Sequence, residues 1–174
     1  MTGIETAIKQ MGWPMFIAQA KNTFFDAMLA GYAGKGVKAR PIARLPGSHV
    51  IEFKNGPWKV VDVYHTTVGE VSYGTTHLSF EDVPVWMMQY WGAYPKEMIP
   101  ILKRALSQSY VNGFWNGGRG PEWFSDDAFD YHNVVERGSC FEVSSSGKET
   151  IVRRGEERVV DGWHCYHSLW LLRL

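Results

Sequence analysis

Apolar residues first recur at helical spacing. Phe16, Ile17, Ala20, Phe24, Ala27 and Met28 fall three or four positions apart, which puts one apolar stripe on a helix over residues 14–29. Pro14 suits the first helical turn, where its missing N–H would have no partner anyway. Gly31, Gly34 and Gly36 end the pattern.

The period then changes to two. The segment from Val50 to Lys54 alternates, and Asn55-Gly56 is a strong hairpin signal. In the returning strand, Trp58, Val60, Asp62 and Tyr64 share one face, and Lys59, Val61, Val63 and His65 share the other. A further strand covers residues 70–80, Glu81-Asp82 forms a turn, and residues 85–91 close a first β unit spanning 48–92. Helical spacing returns over residues 95–110, where Met98, Ile101, Leu102, Ala105, Leu106 and Ser109 make one face. Pro100 falls near the start of this helix, where proline is tolerated. Strands are expected again at 128–137, 139–144, 150–154 and 159–172, with Ser145-Ser146-Gly147 and Gly155-Glu156 as turns.

This second β unit, residues 128–172, loosely echoes the first. Val85-Trp86 leads to Tyr90-Trp91-Gly92, and Val159-Val160 leads to Tyr166-His167-Ser168. The pattern predicts a single α+β domain over residues 1–174. Its antiparallel sheet or sheets come from two loosely repeated hairpin and meander units, packed with two main helices. A chain of 174 residues is long enough to bury a sizeable core without a metal or disulfide.

Composition sharpens this in one respect. Aromatic residues make up 14% of the chain, with eight Trp, and such rings build either a core or a pocket wall. Charge adds only exclusions. Eighteen basic residues balance eighteen acidic ones, so no basic footprint for nucleic acid is present. The stretch from Met1 to Gln10 is too short and mixed for a signal peptide, and no run of about eighteen apolar residues could span a membrane. Cys140 and Cys165 do not make a disulfide framework, and a cytoplasmic setting is the default expectation.

Two stretches carry a resemblance. The first is Arg44-Leu45-Pro46-Gly47-Ser48-His49 with Glu52-Phe53 and Trp58-Lys59-Val60-Val61-Asp62-Val63-Tyr64; the second is Pro84-Val85-Trp86-Met87-Met88-Gln89-Tyr90-Trp91-Gly92. With Ala20-Lys21-Asn22-Thr23 and Arg119-Gly120-Pro121, they resemble the bacterial family known as domain of unknown function 5680. Leu45 inside the turn and Ser168 in the last strand depart from that family's pattern. The family occurs alone and as the C-terminal part of some helix-turn-helix transcription regulators. The resemblance therefore implies a sensor role, although a fold or family does not fix a function.

Chemistry-bearing motifs are sparse. His164, Cys165 and His167 could each bind zinc, but alternation on a strand puts His164 and His167 on opposite faces. No metal site and no cofactor are predicted. The Gly-rich segment 112–121 lacks the strand, spacing and lysine of a phosphate loop and reads as a connector. Asp62 sits among aromatics and, if buried, needs a partner such as Arg44, Arg119 or a Tyr hydroxyl.

The candidate ligand-binding residues are Arg44, Trp58, Asp62, Tyr64, His65, Trp86, Met88 and Tyr90. They would line an aromatic site if the two β units faced each other, and would otherwise form a solid core. The leading expectation is a non-catalytic module for a small organic ligand, with a homodimer left open. One alternative is a hydrolase-type enzyme with His65, His77 or His164 as base and Asp62 or Glu70 as its orienting carboxylate. A protein-interaction domain is the other, and it would show an exposed apolar patch.

Overall fold

The computed structural model describes residues 3–34, 36–68, 70–155 and 160–172. Among these, the chain forms three α-helices and one nine-stranded antiparallel sheet. Helix α1 spans Gly3–Met11 and α2 spans Trp13–Ala30. A short 3-10 turn, Lys96–Met98, leads into α3, Ile99–Val111. The strands are β1 (Arg40–Pro41), β2 (Ser48–Asn55), β3 (Trp58–Thr66), β4 (Val71–Phe80), β5 (Val83–Ala93), β6 (Trp123–Ser125), β7 (Phe129–Arg137), β8 (Ser145–Arg153) and β9 (Val160–Trp170).

The spatial order is β1-β2-β3-β4-β5-β9-β8-β7-β6. Each meander contributes its last strand to the centre, so β5 pairs with β9 and Tyr90 lies opposite Tyr166. The two β units therefore lie side by side in one sheet. They do not face each other, and the wall opposite the sheet is helical.

Local chemistry explains the turns. The β2–β3 hairpin turns at Gly56, whose φ of 58° suits a residue without Cβ. Between β4 and β5, Glu81 and Asp82 both take positive φ, 48° and 63°. That is the two-residue turn whose twist matches the flanking strands. Alternation on β3 is as the pattern predicts, with Trp58, Val60 and Asp62 buried.

The core fills the space between this inner face and the helices. Phe16 of α2 meets Trp58 and Phe80 with ring centroids 5.0 and 5.2 Å apart. Trp86 is fully buried between Phe24, at 4.9 Å, and Phe141, at 5.2 Å. The outer sheet face is less covered, and Tyr73 and Trp91 sit opposite each other there, about half exposed.

Three features differ from the sequence reading. Helix α1, not anticipated, buries Ile4 and Ala7. Residues 139–144 form a loop rather than a strand, and Phe141 from that loop is a core residue. Ser145-Ser146-Gly147 starts β8 instead of making a turn. Small polar residues there fit an inward row in which Gly147 leaves room for the Tyr166 ring. Glu156 and Val159 lie outside the described residues.

Candidate functional site

A cavity of about 650 Å³ lies between the inner sheet face and the two longer helices. The sheet supplies Asp62 and Tyr64 from β3, Ser72 and Thr76 from β4, Met88 and Tyr90 from β5, and His164 from β9. The helices supply Phe24, Met28, Ile99, Lys103 and Tyr110. Connecting segments add Tyr32, Glu70, Tyr94, Lys96, Gly118 and Arg119.

Register sets the geometry. Tyr64, Gly74 and Tyr90 are cross-strand neighbours, and the Tyr90 ring lies over Gly74. A Cβ on Gly74 would come within 2.5 Å of the Tyr90 hydroxyl oxygen. Lying there, Tyr90 donates its hydroxyl to Asp62 Oδ1 at 2.9 Å. Thr76, opposite Asp62 on β4, donates to the same oxygen at 2.7 Å. Oδ2 receives neither bond. Asp62 is 4% exposed, and no ion pair among the described residues includes it. Burial raises its carboxyl above the usual range, and the two hydroxyl donors and more distant Arg119 and His77 only oppose that rise.

A second glycine seats the histidine. Gly92 lies between Ser72 and His164 in register, and a Cβ there would come 2.3 Å from His164 Cδ2. Over this gap Ser72 Oγ and His164 Nε2 are 3.0 Å apart. The Tyr94 ring lies 4.5 Å from the imidazole and the Tyr90 ring 5.9 Å from it. His164 Nδ1 has no partner among the described residues. Burial, with Arg119 second, holds the imidazole down to about 3, so it is neutral at physiological pH.

Arg119 forms the deepest charged contact. Its Nε donates to Glu149 Oε2 at 2.7 Å, and a terminal nitrogen lies 2.6 Å from the same oxygen in an ion pair. Glu149 also accepts from the Tyr131 hydroxyl and, at 3.4 Å, from Tyr94. Both charges are buried and compensated. The guanidinium also lies 5.8 Å from the Tyr90 ring centre. The Gly-rich loop is what brings it here. Residues 117–120 are buried, Gly118 accepts from Tyr110 at 3.0 Å, and the Gly120 N–H donates to Tyr131. The segment read as a connector is thus part of the cavity wall.

Of the eight candidate residues, Asp62, Tyr64, Met88 and Tyr90 line the cavity. The other four are elsewhere. Trp58 and Trp86 are core, because the inward face continues past the cavity toward the densely packed end of the sheet. His65 is on the alternate face, stacked on Tyr73 at 4.5 Å. Arg44 is exposed in the turn before β2 and does not hold Asp62. The sequence reading missed Tyr32, Tyr94, Tyr110 and Arg119 as lining residues. Tyr110 closes the predicted helix 95–110 but is not among the residues read on its apolar face, whereas Tyr32 and Tyr94 fall where periodicity stops.

The histidine–carboxylate pairs expected of a hydrolase site, His65, His77 or His164 with Asp62 or Glu70, do not form among the described residues. Ser72 and His164 are within hydrogen-bond reach, but an imidazole held near 3 is a poor general base at neutral pH. No group of His, Cys, Asp and Glu suited to a metal ion occurs among the described residues. Cys140 and Cys165 are unbridged, and no described helix is long and apolar enough to cross a membrane.

No family model, no curated protein and no solved structure matches the chain.

Proposed function

We propose that this chain is a non-catalytic binding module whose cavity takes a small organic molecule. The observation that carries the reading is the aromatic-walled cavity of about 650 Å³ with the buried Asp62 carboxyl among its lining residues. That size, with mostly apolar walls and a few placed polar groups, is the usual form of a small-molecule site. The neutral His164, the Ser72 hydroxyl and the tyrosine hydroxyls orient a ligand without reacting with it. A sensor, the role that the resemblance to domain of unknown function 5680 implies, would use the same cavity.

A thermal-shift screen against a metabolite library tests this. A ligand present at a hundred times its Kd stabilises the folded state by about 2.7 kcal/mol. For a chain of this length that is a rise of roughly 5–10 °C in Tm. The expected result is a rise confined to one chemical class and lost in Tyr64→Ala and in Met28→Trp, which fills the cavity. A flat response across the library, or a rise that survives both variants, contradicts the proposal.

A further inference from the structure

We propose that the ligand is an organic cation, a protonated amine on an apolar and preferably aromatic body, with its ammonium group against Asp62. The inference rests on the small-molecule reading above and narrows it to one charge class.

The charge of the Asp62 carboxylate is unbalanced. Asp62 is 4% exposed, and its two hydrogen-bond donors, Thr76 and Tyr90, are neutral hydroxyls on one oxygen. A buried carboxylate without a counter-charge is unfavourable, and charges in protein interiors are usually paired. The buried guanidinium nearby does not serve, because Arg119 is held on Glu149 at 2.6 Å. Nor does His164, which stays neutral. A ligand ammonium would supply the missing partner.

The walls suit the same chemistry. Tyr32, Tyr64, Tyr90 and Tyr94 all line the cavity, and tyrosine rings attract cations through their faces. The Lys103 ammonium already lies 5.2 Å from the Tyr32 ring centre. The competing charge class is an anion drawn to Lys96 and Lys103. Lys96 is exposed, however, and Lys103 only half-buried. Exposed charges are screened by water and salt, whereas a buried carboxylate is screened far less. Depth therefore favours the cation. Burial also raises Asp62, so binding of a cation to the protonated form is coupled to proton release.

Three probes of one shape distinguish the outcomes: tryptamine as cation, tryptophol as neutral molecule and indole-3-propionate as anion. Each is titrated calorimetrically at pH 7 into the full chain and into Asp62→Asn, with folding of the variant verified by circular dichroism. Tryptamine should bind about tenfold more tightly than tryptophol, and the propionate least. In Asp62→Asn the tryptamine advantage should vanish while tryptophol affinity stays the same. Equal binding of amine and alcohol, or a preference for the propionate, overturns the cation assignment and leaves the binding cavity standing. Absence of binding by all three overturns the assignment of a cation on an aromatic body, and a flat library screen beside it overturns the binding cavity as well. An amine preference that survives Asp62→Asn overturns the role of Asp62 and with it the proposal.

Discussion

Asp62 concentrates the chemistry of this chain in one side chain. Its burial raises its proton affinity in the folded state, so the fold holds the proton where the unfolded chain releases it. The resulting stabilisation is full below the unfolded value of 3.8 and is lost as pH rises through the raised folded value. Asp62→Asn removes that loss while leaving an oxygen to accept from Thr76 or Tyr90. The ligand-free variant should therefore melt at a higher temperature than the natural chain at pH 7. A lower Tm would show that the carboxylate is held by compensation other than Thr76 and Tyr90. His164 acts in the opposite sense. Its folded value of about 3 lies below the ordinary 6.5, so the unfolded chain takes up a proton first on acidification. Stability should fall by about 1.4 kcal/mol per pH unit between those values. In His164→Asn the slope of unfolding free energy against pH should flatten over that window, as denaturant titrations at several pH values would reveal.

At the scale of elements, the site depends on residues that are small where a neighbour is large. Gly74 of β4 accommodates Tyr90, and Val63 O lies 2.7 Å from where a Cβ would sit. Gly74→Ala should shift the Tyr90 ring away from Asp62 and destabilise the chain by about 1–3 kcal/mol through overpacking. A denaturation midpoint unchanged from the natural chain would refute that reading. Strands and their faces were readable because alternation is a direct record of burial, and Trp58, Val60 and Asp62 do share the inward face. The loop at 139–144 was misread because its apolar Phe141 and Val143 mimic alternation; Phe141 is buried from a loop instead. The Gly-rich segment was misread for a related reason. Glycine signals backbone freedom but not whether the freed backbone is exposed, and here it lets residues 117–120 pass close to Tyr166, Met88 and Tyr131.

For the whole molecule, two meanders meet at β5 and β9, and the helices close the opposite side. Half of the candidate site was legible: Asp62, Tyr64, Met88 and Tyr90 follow from alternation on β3 and β5. Trp58 and Trp86 share those faces but lie further along them, and a sequence does not mark where a core ends and a cavity begins. The distinction has a measurable consequence. Trp86→Ala should cost about 3–5 kcal/mol of stability, as expected for a core ring. Tyr64, half-buried at the cavity, should cost much less and affect binding instead. The Arg119–Glu149 pair ties the loop after α3 to β8. Arg119→Met leaves Glu149 buried and uncompensated and should cost about 3–5 kcal/mol, with much of this recovered in the double variant Arg119→Met/Glu149→Gln. Equal losses in the single and double variants, measured by chemical denaturation, would contradict that coupling.

The central claim is that the space beside Asp62 is a ligand site. The most direct test follows the methyl signals of the seven methionines by nuclear magnetic resonance while tryptamine or tryptophol is added. Met28 and Met88 line the cavity, whereas Met98 is fully buried outside it. The account predicts saturable shifts of Met28 and Met88 with Met98 stationary. Silence at Met28 and Met88, or uniform small shifts of all the methionines, would contradict it.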